Sequence, residues 1–409
     1  MSSVVSTTAR ERNRIVGLIG VGHFFSHFVM LCLPPLFLLM KPALGVGYTE
    51  LGAIVAAMAV TTAVGQIPMG FLVDRIGGRA MLILGLSLMG LSLVCIQFTS
   101  SYWALLGLFA VIGLGNSVFH PADYAILSAR LDPGVFGRAV SIHSLTGYLG
   151  WAGAALVMLP LGNALGWRTA LVVIGAAGLL IVVAMLLGAR YLDDRAVAKE
   201  RAKNQTKATD DLRDGIKLML SPPILMMFLF FAMTASATSG LMAFSIPANV
   251  GLHGIDEVLA GSILTAHLVA GAVGVLIGGW LADRTRQHNI VAGLAIIGMA
   301  VSVMVLAYAG IGMVGVIAAM LFGGLFYGIS SPSRDVLIKR GTPAGSEGVT
   351  FGFTSTGMSI GNFVGPLTCG WIMDRGDPAL VFVVLAATIG LSIITVMLSR
   401  PKRIQAAFS

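Results

Sequence analysis

Apolar stretches of about twenty residues recur along the whole chain, and that length is what a helix needs to cross a bilayer. Reading for it divides the 409 residues into twelve segments. Six fall at 15–40, 51–72, 80–99, 103–128, 139–161 and 169–189, and six at 222–248, 260–281, 290–309, 312–337, 350–372 and 379–399. Composition decides between a bilayer and a large soluble core. Apolar residues make up 56% of the chain and charged residues 11%, against about 25% charged in ordinary soluble proteins. Mean hydropathy is +0.91. Hydrocarbon supplies no water to backbone groups, so each segment must close its own hydrogen bonds as a helix. The expected fold class is an all-α membrane protein with twelve transmembrane helices.

Basic residues orient these helices. With the N-terminus inside, 22 of the 26 Lys and Arg fall in cytoplasmic tails and loops. Lys41, Arg168 and Arg375 fall outside, and Arg334 lies within a span. The bias predicts a multi-pass protein of the cytoplasmic membrane with both termini cytoplasmic, residues 1–14 being a basic tail that stays attached. It also accounts for the net charge of +8 without a nucleic-acid partner. Cys32, Cys95 and Cys369 sit inside apolar runs, with neither disulfide nor metal-site spacing. No nucleotide motif, phosphate-cradling loop or catalytic triad pattern is present, which argues against an enzyme, against ATP-driven transport and against any resident cofactor. A small-molecule solute, protons and the lipid bilayer are the partners such a chain needs, and a monomer is expected.

Residues 190–217 carry eight Lys/Arg and six Asp/Glu with few large apolar side chains. They divide the chain into a six-helix bundle at 1–189, a cytoplasmic linker at 190–221 and a second six-helix bundle at 222–409. The halves repeat. A shift of 211 lays Pro121 on Pro332 and Asp123 on Arg334, and Gly70-Phe-Leu-Val-Asp74-Arg75 is matched by Gly279-Trp-Leu-Ala-Asp283-Arg284. Two halves related in this way are expected to enclose a solute site near the bilayer midplane.

Gly70 to Arg79, with its weaker copy at Gly279 to Arg286, resembles the loop signature of the major facilitator superfamily, and the resemblance extends over essentially the whole chain. It implies two pseudo-symmetric six-helix bundles moving by alternating access, with the first and fourth helices lining the cavity. It also implies a conformational latch at Asp74, Arg75 and Arg79, matched by Asp283 and Arg284. Within that superfamily, Gly22-His23-Phe24-Phe25-Ser26-His27 and Gly113-Leu114-Gly115-Asn116-Ser117-Val118-Phe119-His120-Pro121 resemble the fosmidomycin-resistance exporters. Those relatives tend to carry an acid where His27 stands and another directly after the proline, where this chain has Ala122 and then Asp123. Gly147, Gly150 and Gly153 stand on the fifth helix, but Trp151 replaces the proline of the antiporter signature.

The intramembrane titratable groups are the candidates for chemistry. At 1.5 Å per residue, His23 and His27 lie roughly 12 and 18 Å into the first helix, and Asp123 and His120 roughly 10 and 15 Å into the fourth. These depths overlap, so His23, His27, His120 and Asp123 form a candidate proton-coupling group, with His143 on the fifth helix as a candidate fifth member, imidazole being the side chain that titrates near neutrality. The alternative is that the histidines bond backbone carbonyls where helices touch. Arg334, at the repeat position of Asp123, offers a fork suited to carboxylate or phosphonate. With Ser331, Tyr327, Thr234, Thr238 and His143 it makes the candidate solute site, unless it is locked in an ion pair with Asp335 or Asp123. Gly357, Gly361 and Gly365 mark a close helix contact.

The function expected is proton-coupled secondary transport of a small, anionic organic solute, with export favoured. The alternatives are uptake of a small carboxylate by proton symport, transport of a transition metal or its chelate on the same histidines, or a non-transporting membrane protein.

Overall fold

The computed structural model describes residues 8–195, 221–341 and 347–398. All regular structure in them is helical. In chain order the helices are α1 (Ala9–Leu31), α2 (Phe37–Leu44), α3 (Tyr48–Ile76), α4 (Gly78–Cys95), α5 (Tyr102–Asn116), α6 (Phe119–Arg130), α7 (Pro133–Leu165) and α8 (Trp167–Leu187). They continue as α9 (Pro222–His253), α10 (Glu257–Arg284), α11 (His288–Leu306), α12 (Gly312–Gly341), α13 (Glu347–Asp374) and α14 (Pro378–Leu398). Two spans are broken helices, one made of α1 and α2, the other of α5 and α6. Eleven spans are long and apolar enough to cross a membrane among the described residues, and α13 is the twelfth helix of that length.

The breaks follow from proline. Pro34 and Pro35 have no N–H to donate, so α1 ends at Leu31 and the chain makes a turn of 3₁₀ helix at Pro34–Leu36 before α2. Pro121 likewise cannot donate to the Ser117 carbonyl, and the fourth span opens between Asn116 and Phe119. The start of α1 is fixed by a capping box in which Glu11 N–H donates to Thr8 Oγ1 and Thr8 N–H to Glu11 Oε2.

The helices fall into two compact units, Met1–Leu44 with Ala57–Thr209, and Gly45–Ala56 with Asp210–Ser409. The first turn of α3 therefore packs with the second unit. There Asp374, ending α13, accepts from Tyr48 N at 2.7 Å, Thr49 N at 2.8 Å and Thr49 Oγ1 at 2.6 Å, covering the free N–H groups at the start of α3.

Small residues set the helix approaches within each unit. A Cβ on Gly85 would lie 2.6 Å from the Gly115 carbonyl, and one on Gly115 2.7 Å from the Gly85 carbonyl, so α4 and α5 meet backbone to backbone. In the second unit a Cβ on Gly357, Gly361 or Gly365 of α13 would fall 2.5, 2.2 or 2.1 Å from the Phe228, Ala232 or Ser236 carbonyl of α9. The four-residue spacing in the sequence is thus a packing seam, as van der Waals association in lipid favours. Large apolar side chains such as Ile67, Leu180 and Leu276 stand mostly exposed on the outside of the helices, where a bilayer solvates them.

Candidate functional site

Asp123 is 1% exposed, and its carboxylate is the centre of the first unit. It lies in the second turn of α6, just after the proline break. The break re-aims this half of the span, and α6 carries His120 and Asp123 toward α1 and α7. His143 Nε2 of α7 donates to Asp123 Oδ2 at 2.9 Å, and His23 Nδ1 of α1 stands 3.4 Å from the same oxygen. Asp123 Oδ1 is buried with no hydrogen-bond partner among the described residues. The His23 ring stacks on His143 with centroids 3.5 Å apart and lies 4.3 Å from His27. His27 in turn lies against Trp151 at 4.4 Å. The His120 ring is 5.4 to 6.2 Å from the rings of His23, His143 and His27, and it is the exposed member of the group.

Glycines on α7 make this convergence possible. A Cβ on Gly147 would fall 2.8 Å from His27 Cε1 and 3.0 Å from His23 Nε2, and one on Gly150 would fall 2.3 Å from the Phe24 carbonyl. Gly153 faces Phe24 and Phe28 in the same line. These are the three glycines of the weak antiporter signature, and here they seat α1 against α7 and frame the imidazoles. Thr146 Oγ1 donates to the His143 carbonyl at 2.7 Å and Ser26 Oγ to the His23 carbonyl at 2.9 Å, so the neighbouring hydroxyls are satisfied on their own helices.

The four residues grouped from sequence depth, His23, His27, His120 and Asp123, are brought together. His143, read from sequence both as a solute contact and as a candidate fifth member of this group, is the carboxylate's nearest partner. Sequence leaves its direction about the α7 axis open; in the structure Gly147, one helical turn later, marks the face on which α1 approaches. One carboxylate can neutralise one imidazolium. A second imidazolium in the same site would leave a net charge away from water, which is costly. The carboxylate can thus balance one positive charge in this group, and His120 is the member that reaches the surface. His23, His120 and His143 also place one ring nitrogen each within 4.8 Å of one another. Zinc, with bonds of about 2.0–2.1 Å, draws its ligand atoms closer than that, so these rings would have to close in to hold a transition metal.

The remaining sequence candidates lie in separate places. In the second unit Arg334 pairs with Asp335, Nε and Nη2 each 3.0 Å from Oδ1, and its guanidinium lies over the Phe231 ring of α9 at 4.9 Å. Tyr327, one to two turns earlier on α12, is half-buried. Ser331 donates to the Tyr327 carbonyl, Thr234 to Phe230 and Thr238 to Thr234, at 3.3, 2.8 and 2.9 Å. These hydroxyls have their protons on their own helices and offer a solute their lone pairs.

At the other end of the first unit, Arg79 donates to the Ala189 carbonyl at 3.3 Å and lies 3.8 Å from Asp193. Gly77, at φ 100°, makes the turn from α3 to α4, and Asp194 caps α4 by accepting from Gly78 N at 2.7 Å and Arg79 N at 3.4 Å. Asp74 is half-buried and Arg75 exposed. Asp283 and Arg284 are exposed at the end of α10, with Arg284 over Trp280 at 4.3 Å. Arg195 donates twice to Asp193, at 2.8 and 2.7 Å, and with Arg79 nearby these bonds hold the Asp193 carboxyl down to about 2.

The profile of the Major Facilitator Superfamily matches residues 19–253 and 232–407. The chain belongs to the major facilitator superfamily. It is a multi-pass membrane protein of a transporter family, and its cargo is a small-molecule solute. The chain is 26% identical over 402 residues to the fosmidomycin resistance protein of Escherichia coli, covering 96% of this chain and 94% of that protein. It is 24% identical to the "Probable sulfoacetate transporter" of Cupriavidus necator, covering 96% and 94%. Among solved structures it resembles a bacterial homologue of the human lysosomal transporter Spinster, in an inward-facing and occupied conformation. The TM-score is 0.74 and the identity 15%, with 98% of each chain covered. At that identity the likeness is one of fold.

Proposed function

We propose that this superfamily member is a proton-coupled secondary transporter of a small organic anion, working by alternating access in the cytoplasmic membrane with both termini cytoplasmic. The observation that carries the reading is the buried Asp123 carboxylate shared between His143 and His23, with His120 exposed beside it. An acid inside a span costs about 2.5–3.5 kcal/mol on insertion scales, and a titratable partner set that offsets this cost in one protonation state more than in another ties the cost to the proton. The anionic cargo draws support from the similarity to a probable sulfoacetate transporter; Arg334 lends it none, because its guanidinium is held in the ion pair with Asp335. Export is favoured over uptake by the similarity to the fosmidomycin resistance protein. Asp74, Arg75, Arg79, Asp283 and Arg284 act as the conformational latch rather than as solute contacts.

The test is Asp123→Asn in proteoliposomes. Substrate flux driven by a pH gradient should fall at least tenfold, while counterflow, which moves solute without net proton movement, persists. Unchanged gradient-driven flux removes Asp123 from coupling. Imposing the gradient in either direction separates export from uptake.

A further inference from the structure

A groove of about 600 Å³ runs between the first halves of α1 and α7, and every residue that lines it belongs to the first unit. We infer that this groove is a binding site for an amphiphilic organic anion, which rests on the transport reading above and names the cargo's chemistry more narrowly: an acidic head on an apolar body.

Three observations lead there. First, Arg12 and Arg138 stand together at one end, and neither forms an ion pair among the described residues. Two guanidinium groups at one mouth, with no carboxylate paired to them among the described residues, select an anion and present forks suited to sulfonate, phosphonate or carboxylate. Second, the walls beyond them are apolar, with Val21 and Ile142 half-exposed into open space and Phe24 at the far end. Such a wall binds a hydrocarbon or aromatic body and gives a simple inorganic anion little. From Arg12 to Phe24 is twelve residues of helix, roughly 18 Å, and the volume is of the size that holds a drug-like molecule. A two-chain phospholipid is larger, so the solute is the occupant assigned. Third, the deep end reaches the level of the histidine site along both helices. Phe24 lies next to His23 on α1, and Thr146 lies one turn beyond His143 on α7. A bound body would end beside that site, with its acidic head at the basic mouth.

The groove can be closed without disturbing the fold. Gly17 lines it, and a Cβ there meets nothing within 4 Å. Gly17→Leu therefore fills the groove and leaves the α1–α7 seam intact.

The experiment uses the full chain in phosphatidylcholine nanodiscs and two fluorescent probes with nearly the same aromatic body, anionic 8-anilinonaphthalene-1-sulfonate and neutral N-phenyl-1-naphthylamine. Binding is read as energy transfer from the protein's tryptophans. The double variant Arg12→Gln/Arg138→Gln should weaken the anionic probe at least tenfold and the neutral one less than twofold. Gly17→Leu should weaken both by tenfold or more, and Arg12→Lys/Arg138→Lys should retain most of the anionic binding. Equal loss of both probes in the glutamine variant, no loss in either, or undiminished binding to Gly17→Leu would overturn the assignment. So would displacement of the anionic probe when phosphatidylglycerol replaces a tenth of the lipid, which would mark a lipid headgroup as the occupant. Proton coupling stands or falls separately on the Asp123→Asn flux, since probe binding requires no gradient.

Discussion

Asp123 offers two carboxylate oxygens, and the structure uses them unequally: Oδ2 meets two imidazoles while Oδ1 is buried with no partner among the described residues. An acceptor left open in a buried site costs about 1–3 kcal/mol, so this carboxylate is an expensive feature to keep at this depth. A second carboxylate, Asp193, sits outside the membrane-spanning segments and gives a contrasting case. Bonds from Arg195, with Arg79 beside it, lower its carboxyl from an ordinary 3.8 to about 2. A depressed carboxyl contributes stability that is whole above its ordinary value and disappears as pH falls through about 2. Between pH 5 and 8 Asp193 stays ionised and its ties to Arg79 and Arg195 do not change. Asp193→Asn should therefore leave the pH profile of transport where it is, although it loosens the loop. A profile displaced by half a pH unit or more would place a proton in the loop instead of the span. At this scale the sequence was legible wherever helical depth sufficed. His23, His27, His120 and Asp123 could be grouped by counting residues from the membrane surface. Depth alone does not say which way a side chain turns about its helix axis, and so His143 as the primary partner of Asp123 required the packing of α7 on α1.

The elements carry their own logic, written in glycine and proline. The Pro121 break divides the fourth span, and the Gly147, Gly150 and Gly153 line admits α1 close enough for His23 to stack on His143. Gly150 is the stringent position, because its Cβ would sit 2.3 Å from the backbone carbonyl of Phe24, which cannot swing aside as a side chain can. Gly150→Ala should separate α1 from α7, lower stability by about 1–3 kcal/mol, and reduce transport through displacement of the imidazoles. Gly107→Ala on α5, where a Cβ meets nothing within 4 Å, is the control. It should be neutral or add up to about 1 kcal/mol from helix propensity. Melting of the detergent-solubilised variants checks both, and equal melting temperatures would mean that α1 and α7 are not seated on this glycine. The sequence disclosed such seams only where the spacing was regular. Gly357, Gly361 and Gly365 could be read as a contact surface, whereas the same function in Gly147 and its neighbours was masked by resemblance to a motif they match poorly. Asp374 capping the start of α3 was not legible at all, since the two are brought together by packing across more than three hundred residues of chain.

At the scale of the whole molecule, twelve apolar segments and a 211-residue repeat were enough to anticipate the fold, because hydrocarbon leaves a chain of this composition no alternative to helices. Orientation rests on a different property, the distribution of Lys and Arg, of which 22 of 26 lie on one side. That bias predicts where each connection faces, and two exposed positions test it. Ser100 lies between α4 and α5, and Gly134 lies at the start of α7 with open space around its Cα. The bias puts Ser100 outside and Gly134 in the cytoplasm. Cys32 and Cys369 are buried, so replacing the exposed Cys95 by Ser leaves a quiet background. On it, Ser100→Cys should react with a membrane-impermeant maleimide in intact cells, and Gly134→Cys only after permeabilisation. The reverse pattern would invert the molecule. It would place the Arg12 and Arg138 mouth of the groove on the outer face and make that groove a receiver of external anions rather than of cytoplasmic ones. The direction of transport and the sidedness of the basic mouth are thus joined, and one labelling experiment bears on both.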